Sequence, residues 1–235
     1  MPSLDSCRFC SDEDLARIGY DGLHARKDLD AWLRDGPNPA SRELIDVLCS
    51  QPIEGAAVLD IGAGVGAVHL SLLEHGAASA VDVDASREYI ATAREEAERR
   101  GLASRVTYRY GDVVELAAEL PPVDVVTLDS VICCYPRLQP LIQAALRSRP
   151  RVVGLTYPRD VWWMRAYMRV YNVAHALRRS PSRYFIHRRA SLHRLMADAG
   201  YERLHEGGLP IWTVVVFRRS ADAARGAVDG NHKPD

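Results

Sequence analysis

Asp60, Gly62, Gly64 and Gly66 stand at alternate positions in the run Val58-Leu59-Asp60-Ile61-Gly62-Ala63-Gly64-Val65-Gly66. An apolar strand delivers a carboxylate, three glycines follow, and a helix starts at the last of them. Glycine removes the Cβ at every second position of the turn, so a flat ligand can lie against the backbone there. The helix beyond presents unpaired N–H groups and the positive end of its dipole. These residue types in this spacing point to a nucleotide-like ligand.

Which nucleotide depends on the neighbours. Gly62-x-Gly64-x-x-Ala67 satisfies the dinucleotide pattern, which is weak evidence alone. Only Lys27 and Lys233 are lysines, so no Gly-Lys-Ser/Thr phosphate loop and no Tyr-x-x-x-Lys pair is present. About 55 residues of largely helical pattern precede the glycine strand, whereas a dinucleotide domain usually opens close to it. Asp84 lies 18 residues past Gly66 at a strand end, where a carboxylate can take both ribose hydroxyls. Asp82 competes for that role. Gly111-Asp112 follows the next strand and Asp129 the one after.

The elements that position these residues alternate. Helical spacing covers 12–20, 23–33 and 39–49, the last opened by Asn38-Pro39 as cap and first turn. Short apolar strands are expected at 56–61, 79–83, 106–109, 123–128 and 151–156. Helices are expected between them at 65–74, 86–100 and 138–148. Such alternation builds a doubly wound, mostly parallel α/β sheet. After the fifth strand a long helical segment (159–179) is inserted. A short extended piece (184–187), a helix (190–199) and a closing strand pair (201–205 and 211–218) follow. The expected organisation is an N-terminal helical lid segment (1–50), a main domain (51–219, with 159–189 as inserted lid) and a disordered tail (220–235).

With these residues in place, the sequence resembles the class I S-adenosylmethionine-dependent methyltransferases over about residues 55–219. The carrying residues are Asp60-x-Gly62-x-Gly64-x-Gly66, Val81-Asp82-Val83-Asp84-Ala85-Ser86, Gly111-Asp112 and Asp129. The resemblance implies a Rossmann-like methyltransferase sheet with S-adenosyl-L-methionine as cofactor. It implies that Asp60 and the glycines hold the methionine end, Asp84 the ribose diol, and Asp112 with Val113 the adenine. Asp129 completes the cofactor set.

Residues 128–136, Leu-Asp-Ser-Val-Ile-Cys-Cys-Tyr-Pro, with Tyr157-Pro158 and Tyr184-Phe185-Ile186-His187, are similar to magnesium-protoporphyrin O-methyltransferases. Cys134 replaces their histidine before Tyr-Pro. That likeness carries the architecture and the methyl donor, not the acceptor.

Sulfonium methyl transfer needs placement of the acceptor and exclusion of water more than a strong base. Tyr135, past the end of the fourth strand, and His187 are the catalytic candidates. From Arg147 to Arg194 there are twelve arginines and a single acid, Asp160. Arg165 and Arg169 share a helix face and could fork an anionic acceptor; the same segment could instead rest on an anionic lipid surface.

A small-molecule acceptor with oxygen as the accepting atom is expected. Nucleic acid is disfavoured because no Asn/Asp-Pro-Pro-Tyr/Phe tetrad follows the fourth strand. The alternatives are an NAD(P)-dependent oxidoreductase on a related sheet and a non-catalytic S-adenosylmethionine-binding protein.

Five cysteines (7, 10, 49, 133, 134) form neither a disulfide framework nor a zinc set, so no metal is expected. The N-terminus shows no signal-peptide pattern, no apolar run reaches a membrane span, and a cytoplasmic location is expected.

Overall fold

The computed structural model describes residues 20–178 and 183–221. Cys7, Cys10, residues 12–19 of the first expected helix, residues 179–182 and the tail from 222 lie outside the described residues.

Two helices, α1 (Gly22–Asp35) and α2 (Pro39–Cys49), precede a seven-stranded sheet. In chain order its first part is β1 (Ala57–Ile61), α3 (Ala67–Glu74), β2 (Ser79–Asp84), α4 (Arg87–Arg99) and β3 (Val106–Tyr110). Then come α5 (Val113–Leu116), β4 (Val125–Asp129), α6 (Leu138–Ala145), β5 (Val152–Pro158), α7 (Trp162–Leu177), α8 (Arg189–Asp198), β6 (Tyr201–Gly208) and β7 (Trp212–Arg219). The sheet order is β3-β2-β1-β4-β5-β7-β6. Strands β1 to β5 run parallel, and β7 is antiparallel to both its neighbours. The chain winds outward from β1 to β3, then restarts at β4 on the other side. Ligands bind at such a reversal, in the crevice beyond the carboxyl ends of the strands.

Each face of the sheet has its own core. Val58, Val125, Val152, Val214 and Val216 point to one face and pack with Leu29 and Trp32 of α1, Leu44 and Leu48 of α2, and Leu70 of α3. Leu59, Val126, Leu128, Val153, Leu155 and Phe217 point to the other and meet Leu141 and Ile142 of α6 and Leu192 and Met196 of α8. This alternation is the period of two that a strand imposes on its side chains. The N-terminal helices are therefore part of one core, besides bordering the crevice.

Gly154 shows how closely α2 approaches β5: a Cβ there would lie 2.7 Å from Leu44 Cδ1 and 3.3 Å from Leu48 Cδ1. Gly154→Ala is expected to cost about 1–3 kcal/mol through overpacking, read as a lower urea midpoint with unchanged slope.

The parallel strands, the inserted helix and the closing hairpin match the sequence expectation, with ends shifted by no more than three residues. The short helix α5 was not anticipated: four residues carry too little periodicity, and only Asp112 as its cap marks it. Residues 184–187 adopt no regular element.

Candidate functional site

The turn after β1 takes the conformation its glycines allow. Gly62, Gly64 and Gly66 have φ of 63°, 58° and 84°, a region costly for residues with a Cβ. A Cβ on Gly62 would sit 2.6 Å from Val131 Cγ2, and one on Gly66 2.9 Å from His69 Cε1. Gly64 differs, because among the described residues a Cβ there would meet only Tyr89, at 3.8 Å. Two of the glycines permit close packing, and the middle one leaves its space open.

Asp60 lies beneath this turn rather than on the cavity wall. It is buried, accepting from Thr127 Oγ1 at 2.6 Å, His69 Nδ1 at 3.0 Å and the His69 backbone N–H at 3.3 Å. The last bond satisfies an otherwise unpaired donor in the first turn of α3. Asp60 thus fixes the start of α3 relative to β1.

Asp84, at the end of β2, does reach the cavity. Its Oδ2 accepts from Gly64 N at 3.0 Å and its Oδ1 from Ser86 N at 2.8 Å. Burial pushes its carboxyl up to about 6, and nearby Asp60 adds to this, while the backbone donors of Ser86 and Gly64 pull it back.

Asp82, the competitor, faces the interior. It is fully buried, and neither carboxylate oxygen has a hydrogen-bond partner among the described residues. Burial, then Asp84 and Asp60, hold its carboxyl well above the usual carboxylate range. A folded value above the unfolded one means that the folded protein binds the extra proton. Stability from this group is present at low pH and is lost as pH rises from about 4 through the folded value. Asp82→Asn is expected to raise the melting temperature at pH 8 by roughly 3 °C, with the gain shrinking at pH 5 in paired thermal melts.

Asp129, at the end of β4, also lines the cavity. It accepts hydroxyl bonds from Ser41, Thr156 and Ser130. Burial raises its carboxyl, and the hydroxyls of Ser41 and Thr156 oppose the rise. Ser41 comes from the first turn of α2, whose cap Asn38 accepts from Ala40 N and Ser41 N. The Gly36-Pro37-Asn38-Pro39 break therefore brings α2 to the strand end.

Asp112, Tyr135 and His187 join in one chain of bonds. Asp112 caps α5 by accepting from Val114 N at 2.9 Å and takes the Tyr135 hydroxyl at 2.8 Å. His187 Nε2 donates to the Tyr135 carbonyl at 2.9 Å. Val113 is buried behind them. Of these four residues only Tyr135 borders the cavity, and its hydroxyl proton is directed at Asp112. Tyr135→Phe would leave one Asp112 oxygen without that donor, and a loss of about 1–2 kcal/mol of stability is expected in denaturant melts.

Arg165 and Arg169 stand on the exposed side of α7, outside the cavity. Arg165 pairs with Asp160 (Nε to Oδ1, 2.6 Å). The fork expected from their spacing does not form at the cavity because the inward face of α7 carries Met164, Met168, Tyr171 and Asn172 instead.

The cavity has a volume of about 790 Å³, within the ordinary range for small-molecule and cofactor pockets. Its floor is the glycine turn with Asp84 and Asp129, and one wall is the α1–α2 connection. A further wall holds Tyr20, Cys134, Arg183 and Tyr184, a group not singled out as functional from the sequence. Tyr20 Oη and Cys134 Sγ are 3.6 Å apart, and Cys133 Sγ is 3.7 Å from Cys134 Sγ. Hydrogen bonding from Cys133, helped by Tyr20, lowers the Cys134 thiol against the effect of burial. Burial, reinforced by Cys134, raises Tyr20, and burial pushes Tyr184 up to about 12. Ser86 Oγ donates to the Tyr20 carbonyl at 2.9 Å, closing the N-terminal segment over the Asp84 corner. Among the described residues no group of three or more His, Cys, Asp or Glu is placed to hold a metal ion.

Residues 58–152 match the family model of the methyltransferase domain. A release factor glutamine methyltransferase from Cereibacter sphaeroides is 38% identical over 77 residues, 32% of this chain and 27% of that protein. The chain spans about a quarter of the length of the curated relatives it matches. Among solved structures, magnesium protoporphyrin IX methyltransferase from Synechocystis PCC 6803 with bound SAH superposes with a TM-score of 0.66 at 18% identity. The match covers 89% of this chain and 100% of that one. An O-methyltransferase family protein from Burkholderia thailandensis gives a TM-score of 0.67 at 18% identity, over 90% of this chain and 64% of that one.

Proposed function

From the premise that this chain carries a methyltransferase domain on a class I S-adenosylmethionine-dependent methyltransferase fold, we propose that it methylates a small-molecule acceptor at oxygen. The observation that carries this reading is the opening of the glycine turn, clear of a side chain at Gly64, and the Asp84 carboxyl onto one cavity. The residues fit the implied cofactor: Gly64 keeps clear the space that a Cβ would enter, and Asp84 presents a carboxylate at the strand end. When bound there, S-adenosylmethionine supplies a methyl group already activated by its sulfonium.

The chain's own work is then binding and placement. Asp84 would accept from the ribose hydroxyls, and Asp129, braced by Ser41 and Thr156, would face the methionine end. Asp60 and Asp112 act through structure, one fixing α3 and the other α5 and Tyr135. Tyr20 and Tyr184 are held as neutral hydroxyl donors at pH 7, and Arg183 is a cation on the same wall. Donors and a positive charge suit an acceptor that is already an anionic oxygen, such as a carboxylate. Such an acceptor needs no base, consistent with the Tyr135 hydroxyl bonding Asp112 and His187 Nε2 bonding the Tyr135 carbonyl. The solved neighbours named for magnesium protoporphyrin IX and for O-methyl transfer support a small acceptor, while the release factor relative acts on a protein by its name.

Incubation with methyl-tritiated S-adenosylmethionine and a fractionated cell extract tests this. Label is expected in an acid-labile or base-labile small-molecule ester. Label confined to protein or RNA would overturn the acceptor class.

A further inference from the structure

The helix α7 is amphipathic in the wrong direction for a core element. Its inward face holds the buried Met164, with Tyr171 edge-on to Tyr184 at 5.2 Å. Asn172 is bound twice to the Tyr184 backbone, donating from Nδ2 to the carbonyl at 2.7 Å and accepting from the N–H at 2.9 Å. That side is complete.

The outward side presents Trp162, 79% exposed, Leu177, 81% exposed, and Trp163, Tyr167, Val170 and Val173. At about 100° per residue, these six side chains occupy a continuous arc of roughly 140°. Arg165 and Arg169 border one edge of the arc and Arg178 the other. Singly exposed apolar residues are ordinary, but a contiguous patch of this kind marks an interaction site.

The charges around the arc select the occupant. We infer that the outer face of α7 rests on an anionic lipid surface, its aromatic and aliphatic side chains in the headgroup boundary and Arg169 and Arg178, one at each edge, on the phosphates. A second copy of the chain would bring the same patch against itself and oppose arginine to arginine. The one carboxylate in residues 147–194, Asp160, is already occupied by Arg165 and by the Arg189 backbone N–H. With 16 residues α7 is too short to span a bilayer, and among the described residues no helix is long and apolar enough to cross one. The inference is independent of the methyl-transfer reading.

Co-sedimentation of the full chain with vesicles decides it. Vesicles of phosphatidylglycerol mixed with phosphatidylcholine are expected to carry the protein down, and pure phosphatidylcholine vesicles are not. The binding should fade in high salt as the charges are screened. Trp162→Ser/Val170→Ser/Leu177→Ser should lower vesicle affinity at least tenfold with an unchanged thermal melt, since all three side chains are exposed. Arg169→Gln should lower it about fivefold. Protein that stays in the supernatant with anionic vesicles overturns the inference, as does equal binding to neutral ones. A concentration-dependent dimer dissolved by the triple substitution would assign the face to a second copy and overturn it as well.

Discussion

Asp84→Ala is expected to weaken S-adenosylhomocysteine binding by roughly thirty- to a hundredfold, a net loss of about 2–2.7 kcal/mol once water replaces part of the charge-assisted bonding to the ribose. Calorimetry reads this directly. In the unliganded protein, relief of a buried carboxyl pushed up to about 6 is offset by the loss of its bonds from Gly64 N and Ser86 N, so the melting temperature should change little. The same group sets a pH dependence. Ribose hydroxyls donating to Asp84 favour its charged form, so the bound state holds a lower value than the free one and binding releases a proton. Affinity should therefore climb as pH rises toward 6 and level off above it, changing at most tenfold per pH unit. In Asp84→Ala this slope should vanish. A full slope in the variant would move the titrating group elsewhere.

Gly64→Val should have the second large effect, and it separates binding from folding. At φ of 58° a β-branched residue is strained by about 2 kcal/mol, equivalent to a fall of roughly 4–8 °C in melting temperature. The protein should still fold, because among the described residues beyond its chain neighbours a Cβ at Gly64 meets no atom closer than 3.8 Å. Cofactor affinity should drop at least a hundredfold, since the added side chain enters the space that the turn keeps open. Gly62→Val should behave differently: its Cβ would collide with Val131, and the loss there is chiefly of stability.

The sheet was legible because its signals are dense. Apolar runs at 57–61, 125–129 and 152–158 lie in the buried centre of the sheet, and each is punctuated by glycine, aspartate or proline. The glycine turn was legible because only one residue type tolerates three positive φ values within five positions. Which carboxylates face the cavity was less so. Asp60, Asp82 and Asp84 share one face of the sheet by their period of two and their β1–β2 register, yet only Asp84 reaches the crevice. Depth along the strand decides this, and residue type does not encode depth.

Tyr135 and Asp112 were read as separate roles. Their mutual hydrogen bond is a contact across 23 residues that no local pattern records. The i, i+4 spacing of Arg165 and Arg169 says that the two side chains share a face; it does not say which way that face points. The Tyr20, Cys134 and Tyr184 wall joins three distant segments, so no motif could have assembled it. The sequence signals were Cys134, standing where the similar methyltransferases have histidine, and Tyr184, which opens the Tyr-Phe-Ile-His stretch similar to theirs.

The central claim is that the bend after β1 and the Asp84 carboxyl accept an adenosyl group carrying a sulfur, and not a pyrophosphate. Titrating the purified full chain with S-adenosylhomocysteine and, separately, with NAD+ in a calorimeter tests it most directly. One-to-one binding of the first, with no heat from the second, is the predicted result. Saturable binding of NAD+ with none of S-adenosylhomocysteine would contradict it.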